Sequence, residues 1–139
     1  LAFKESRGDY SVINKFGYLG KYQFNKNTLK LIGIYDSSNF IYDSHLQEKA
    51  FSANTSRNKW ILRRDINNFV GSYVGGIKIT ESGILAAAHL AGAGNVKKYL
   101  RTNGDHNKSD AYGTSIQAYM IKVANYNVSE IIADRKARV

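Results

Sequence analysis

"TESGILAAAHLAGAGNVKKYLRTNG", residues 80–104, is the stretch whose reading decides the fold class. Thr80 carries a side-chain oxygen able to accept from the free N–H groups at a helix start, and ESGILAAAHLAG after it is rich in strong helix formers. Its alanine-rich face would let another helix approach closely. GAGNV then breaks the helix, and NVKKYLRTNG restarts one, with Asn95 as cap and Gly104 as stop. A chain built this way reads as helix, glycine break, helix.

The same punctuation extends in both directions. Proline is absent, so helices can run without interruption and glycines mark their ends. Upstream, GSYVGGIKIT (71–80) alternates briefly between glycines and reads as a loop or small hairpin. Residues 44–69 carry Leu46, Ala50, Phe51, Trp60, Ile61, Ile66 and Phe69 at three- and four-residue steps. That pattern predicts two helices or one bent helix, interrupted near SANTSRN (52–58). NKNTLKLIG (25–33) predicts a short capped helix ending at Gly33. Residues 1–7 read as a helix end closed by Gly8, which places Glu5 in the last turn. Downstream, NGDHNKSDAYG is a loop, and Ser115 opens a helix with Ile116, Tyr119, Met120 and Val123 on one face. VSEIIADRKARV (128–139) predicts a short amphipathic helix with a basic end.

The expected architecture is mainly α, in a single domain over residues 1–139. At 139 residues the chain can bury one substantial core, and its 43% hydrophobic and 22% charged residues are globular values. No apolar run approaches the roughly 18 residues of a membrane span, so no membrane insertion is expected. The chain opens at Leu1 in residues that already read as structured, and the expectation is a fragment of a longer chain. Without cysteine there is neither a disulfide framework nor a thiolate metal site. Twenty Lys and Arg against eleven Asp and Glu give a net charge of +9, which favours an anionic partner without choosing among nucleic acid, acidic membrane and bacterial cell wall.

Chemistry narrows to the carboxylates. His45, His89 and His106 are far apart and form no zinc-type pair, so no metal and no cofactor are expected. GYLGKY and GAGNVKK do not match a nucleotide-binding loop, and no serine sits in a nucleophile elbow. Cleaving a glycosidic bond needs an acid that keeps its proton near neutral pH, hence a partly desolvated carboxyl. Glu5 has Phe3, Tyr10, Phe16, Tyr18, Tyr22 and Phe24 within twenty residues, and flat aromatic faces also suit sugar rings. On residue types alone these aromatics read more readily as ordinary core.

Four segments, taken in order, resemble the lysozyme-like lytic transglycosylases of the soluble-transglycosylase type and their phage and secretion-associated relatives. They are ESRG at Glu5, GYLGKYQF ending in Gln23 and Phe24, GILAAAHLAGAGNVKKYL, and YMIKV at residues 119–123. The resemblance implies a lysozyme-like helical domain with a small loop or hairpin insertion. It implies Glu5 as the catalytic acid/base with Ser6 beside it, and Gly20 and Gln23 as the G-x-x-Q segment that lines a glycan groove with Tyr18 and Tyr22. Residues 88–94, including His89 and Gly92, correspond to an A-Y-N-x-G segment, and Tyr119 to the tyrosine facing the glutamate. The family's Tyr-Asn is His89-Leu90 in this chain, and the methionine before its glutamine is Tyr22.

The activity implied by the resemblance is cleavage of the β-1,4 bond between N-acetylmuramic acid and N-acetylglucosamine, with a 1,6-anhydro product from Glu5 acting alone. A hydrolytic muramidase would need a second carboxylate, about 5 to 9.5 Å from the first. Asp9, Glu48 and Glu81 are the candidates, Glu81 also being suited to the helix dipole in a first turn. The expected partner is the glycan strand of peptidoglycan and not nucleic acid. The expected state is a monomer, and the expected location the periplasm or cell exterior, at the wall. A catalytically silent glycan-binding module and a nucleic-acid-binding protein are the rival classes.

Overall fold

The computed structural model describes residues 10, 19–107, 109, 115–122 and 131–139. Glu5, Ser6, Asp9 and Tyr18, the helix expected over 1–7, and Val123 lie outside the described residues. What is described is mainly helical, with one two-stranded sheet. The chain divides into two compact units, Leu1–Asn54 with Lys136–Val139, and Thr55–Arg135.

In the first unit, α1 (Lys26–Leu31) starts where expected: the Asn25 side chain accepts from the Thr28 N–H at 2.7 Å. It ends where expected too. Gly33 adopts φ +94, its N–H reaches the Lys30 carbonyl and the Ile34 N–H reaches that of Leu29, so orphan carbonyls of the last turn are satisfied. A 3-10 turn, Phe40–Tyr42, leads into α2 (Ser44–Ile61), whose first turn receives a cap from Asp43 to the Leu46 N–H at 2.9 Å.

The interruption expected at 52–58 does not occur. α2 is one 18-residue helix, and the break falls at Leu62. Ser, Asn and Thr weaken a helix by only a few tenths of a kcal/mol each. Ala53, Asn54, Thr55 and Asn58 are buried there, so packing outweighs propensity.

The second unit continues with α3 (Arg63–Phe69) and a hairpin of β1 (Tyr73–Val74) and β2 (Ile77–Lys78), Val74 opposite Ile77. Gly75 and Gly76, at φ +58 and +84, supply the two left-handed positions that a two-residue hairpin turn needs. α4 (Glu81–Ala91) is capped by Thr80, which accepts from the Gly83 N–H at 3.1 Å. Ser82 through Ala88 are all buried. The close neighbour of its small-residue face is α6 (Ile116–Lys122), since a methyl group on Gly83 would lie 3.0 Å from the Met120 carbonyl oxygen.

α5 (Ala93–Arg101) corrects one expectation. Gly92, at φ +88, turns the chain sharply enough for the helix to begin at Ala93, so Asn95 lies inside it. Its amide reaches back to the Ala91 carbonyl at 2.6 Å, closing the end of α4 instead of opening α5. At the other end Asn103 takes the left-handed position, φ +51, and the Gly104 N–H bonds the Tyr99 carbonyl. Leu62, Val74, Ile79, Ile84, Val96, Tyr99, Leu100, Ile116, Tyr119 and Met120 form the core of this unit. Asp65, 1% exposed, accepts two bonds from Arg101 at 3.0 and 3.2 Å.

The amphipathic helix expected over 128–139 is absent from the described residues 131–139. The backbone there is engaged elsewhere. In the second unit the Asp134 N–H bonds the Ser56 carbonyl and the Arg135 carbonyl accepts from Arg57, while the Arg63 guanidinium lies 3.7 Å and that of Arg135 5.2 Å from the Trp60 ring centroid. In the first unit the Val139 N–H bonds the Ile32 carbonyl.

Candidate functional site

Residues 19–24 of the first unit form a closed turn. Leu19 and Phe24 exchange backbone bonds at 2.8 and 2.9 Å, and the Gln23 N–H reaches the Gly20 carbonyl at 3.2 Å. Two of the four residues between are left-handed, Gly20 at φ +78 and Gln23 at φ +53. Glycine accepts this conformation without strain, while a glutamine does so only when its surroundings hold it there. The Gln23 side chain helps: its amide donates to the Gly20 carbonyl at 2.8 Å. The carboxamide oxygen is buried and has no hydrogen-bond partner among the described residues.

Two neighbouring residues of α2 hold the turn. Gln47 is fully buried, its oxygen accepting the Lys21 N–H at 2.9 Å and its amide donating to the carbonyls of Tyr10 and Phe40, each at 2.9 Å. It lies so close to Gly20 that a methyl group there would come within 2.2 Å of its oxygen. Glu48 accepts from the Tyr22 hydroxyl at 2.6 Å on one oxygen, and from the Tyr10 hydroxyl at 2.6 Å and the Lys21 ammonium at 3.2 Å on the other. The Tyr22 ring stacks on Phe51, centroids 4.2 Å apart and planes 17° from parallel.

These contacts set the charges of the cluster. Partial burial works to raise the Glu48 carboxyl, but the hydrogen bonds from Tyr10, Tyr22 and Lys21 outweigh it and hold the group below the usual carboxylate range. Burial and the adjacent Glu48 carboxylate push the Tyr22 phenol up to about 12. Lys21 is raised as well: burial opposes its charge, and the bond to Glu48 more than compensates. The arrangement is an anionic carboxylate clasped by two phenolic hydroxyls and a cation.

The structure therefore brings Gly20, Tyr22 and Gln23 together in one braced turn. Tyr22 is 4% exposed, with its ring on Phe51 and its hydroxyl on Glu48, so what it contributes is support of the turn. In the second unit His89 is half-buried near the end of α4 and Gly92 forms the exposed hinge to α5. Tyr119 is in the core of that unit at 7% exposure. Glu81 sits in the first turn of α4 and pairs with Lys59 at 2.8 Å. Among the described residues no group of three or more His, Asp or Glu side chains could hold a metal ion, and no helix is long and apolar enough to cross a membrane.

The importance of Gln47, and the part Glu48 plays beside it, escape sequence reasoning. One signal was present: Gln47 stands three and four residues before Ala50 and Phe51, on the apolar stripe of α2, where an amide needs partners of its own. Those partners are 7, 26 and 37 residues away. Compared with family models, curated proteins and solved structures, the chain matches none.

Proposed function

We propose that the chain is a peptidoglycan-cleaving enzyme of lysozyme-like fold, with Glu5 as its general acid/base. The observation that carries this reading is the turn at 20–23. The G-x-x-Q segment of the resemblance coincides with a backbone loop that has two left-handed residues, and its glutamine is held in a strained conformation with a buried acceptor that has no partner among the described residues. Strain of this kind persists where surrounding contacts over-determine it and is concentrated at binding and catalytic sites.

In the proposed reaction Glu5 protonates the oxygen between N-acetylmuramic acid and N-acetylglucosamine, and the bond from that oxygen to the muramyl anomeric carbon breaks. The charge developing on the sugar is stabilised by its own N-acetyl group. The Glu5 carboxylate then removes the proton of the muramyl 6-hydroxyl as that oxygen bonds the anomeric carbon, giving the 1,6-anhydro product. Of the candidate second carboxylates, Glu48 has both oxygens engaged by three donors and Glu81 is paired with Lys59, which speaks against either of these two serving a hydrolytic muramidase. The +9 charge suits adsorption to an anionic wall outside the cytoplasm.

The test is clearing of purified cell walls by the protein and by its Glu5→Gln variant, with mass spectrometry of the released muropeptides. Loss of clearing in the variant and a product lighter by one water than the hydrolysed fragment are expected. Unchanged clearing would remove Glu5 from the mechanism. A hydrated product would replace the transglycosylase reading with a muramidase, and retention on walls without cleavage would leave a glycan-binding module.

A further inference from the structure

We propose that Glu48 is a positioning residue that fixes the 20–23 turn on α2, so that the Gln23 carboxamide meets a neutral hydrogen-bond donor of the glycan, an acetamido N–H or a hydroxyl, in a defined place. The inference rests on the glycan-cleaving reading and adds to it a residue outside the four resembling segments.

The geometry concentrates on one side chain. Lys21 and Tyr22, at the tip of the turn, both end on the Glu48 carboxylate, and Tyr10 ends there from a third direction. Gln47 takes the Lys21 backbone N–H beside them. The next residue is Gln23, whose left-handed backbone is costly for a side chain of its size and stays in place because its neighbours are clasped. Its Oε1 is the buried side-chain acceptor left without a donor among the described residues. A buried acceptor without a protein donor is costly, and a donor brought by a ligand supplies the bond.

That oxygen has almost no exposed surface, so a ligand reaches it only by a small swing of the carboxamide about its Nε2 bond to the Gly20 carbonyl. A swing delivers it to a reproducible position only if the backbone beneath stays fixed, and Glu48 helps fix it through the Lys21 and Tyr22 side chains, beside the Gln47 bond to the Lys21 N–H. The group met is a donor, because Nε2 stays engaged by the Gly20 carbonyl and the atom left free is Oε1, an acceptor.

The experiment is a double-mutant cycle in the full chain, Glu48→Gln, Gln23→Ala and both together. It reads KM and kcat for release of soluble fragments from glycan strands, with thermal melts to verify folding. Glu48→Gln keeps the shape of the side chain and removes its charge. It should raise KM about tenfold, the equivalent of one charge-assisted bond, and leave kcat within about twofold. In the Gln23→Ala background the same change should alter KM by less than about twofold, because its effect passes through Gln23. An equal increase in both backgrounds, or a loss of kcat at unchanged KM, overturns the inference. Should Glu48→Gln fail to fold, Tyr22→Phe enters the cycle in its place, since it keeps the stack on Phe51 and removes a single hydroxyl bonded to Glu48. If the unaltered protein neither binds nor cleaves glycan, the functional reading fails and this inference with it. An active protein with an additive cycle sinks this inference alone.

Discussion

Replacing Gly20 with alanine should be among the most damaging single-methyl changes in the first unit, and its cost can be worked from two separate causes. The first is conformational: φ is +78, and a residue with a Cβ loses roughly 1–2 kcal/mol in the left-handed region. The second is steric, because the new methyl would stand 2.2 Å from the Gln47 oxygen, which therefore has to move. A long side chain usually yields at little cost, but Gln47 is fully buried and its carboxamide makes three bonds, to the Lys21 N–H and the Tyr10 and Phe40 carbonyls. Breaking them strands buried polar groups at about 1 kcal/mol or more each, so Gly20→Ala should cost about 3–5 kcal/mol in total. Gly76→Ala is the control: φ is +84, yet nothing lies within 4 Å of the added methyl, so only the conformational part, roughly 1–2 kcal/mol, is expected. Urea denaturation of the two variants beside the parent measures the difference. Equal destabilisation by the two would refute the idea that Gln47 is locked in place beside the turn.

Three other contacts lead to outcomes as definite. Glu48 is held below its ordinary value of 4.5, so its stabilising contribution is complete above that pH and is lost as pH falls through the lowered folded value; the stability gap between the parent and Glu48→Gln should shrink in acid, and a gap constant from pH 7 downward would contradict the clasp. Thr80→Ala removes the bond to the Gly83 N–H at the start of α4 and should cost about 1 kcal/mol in denaturant titrations, with Thr80→Ser nearly neutral; equal losses would show that the hydroxyl is not the cap. Gly83→Val forces α6 away from α4, because even the first carbon meets the Met120 carbonyl oxygen at 3.0 Å, and a loss of about 1–3 kcal/mol is expected; a melting temperature unchanged from the parent would mean that the two helices are not closely packed.

The parts of the fold legible in the sequence are those whose causes lie within a few residues. The Asn25 and Thr80 caps, the glycine end of α1, the Gly75-Gly76 hairpin and the start of α6 at Ser115 each depend on a side chain and a backbone group three or four positions apart, or on φ at one residue. Spacing therefore identifies them directly. Of the candidate site, the 19–24 turn was legible as a glycine-bearing segment ending in a glutamine, but what braces it was not.

Where several weak local preferences met one strong distant contact, the distant contact prevailed. SANTSRN has the composition of a helix interruption, yet four of the residues from Ala53 to Asn58 are buried and the helix continues through them. Asn95 has the composition of a cap, yet Gly92 at φ +88 starts the helix earlier and leaves Asn95 to close the preceding one. The basic end of the chain has helical spacing, yet in the described part its carbonyl and N–H groups bond residues about eighty to a hundred positions away along the chain. Residue types and their spacing determined a mainly helical chain, its punctuation and the glutamine at the end of G-K-Y-Q. Tertiary structure alone decided that Gln47 and Glu48 clasp that turn, because a buried amide and a carboxylate choose partners by proximity in space, and proximity across 26 residues leaves no period in a sequence.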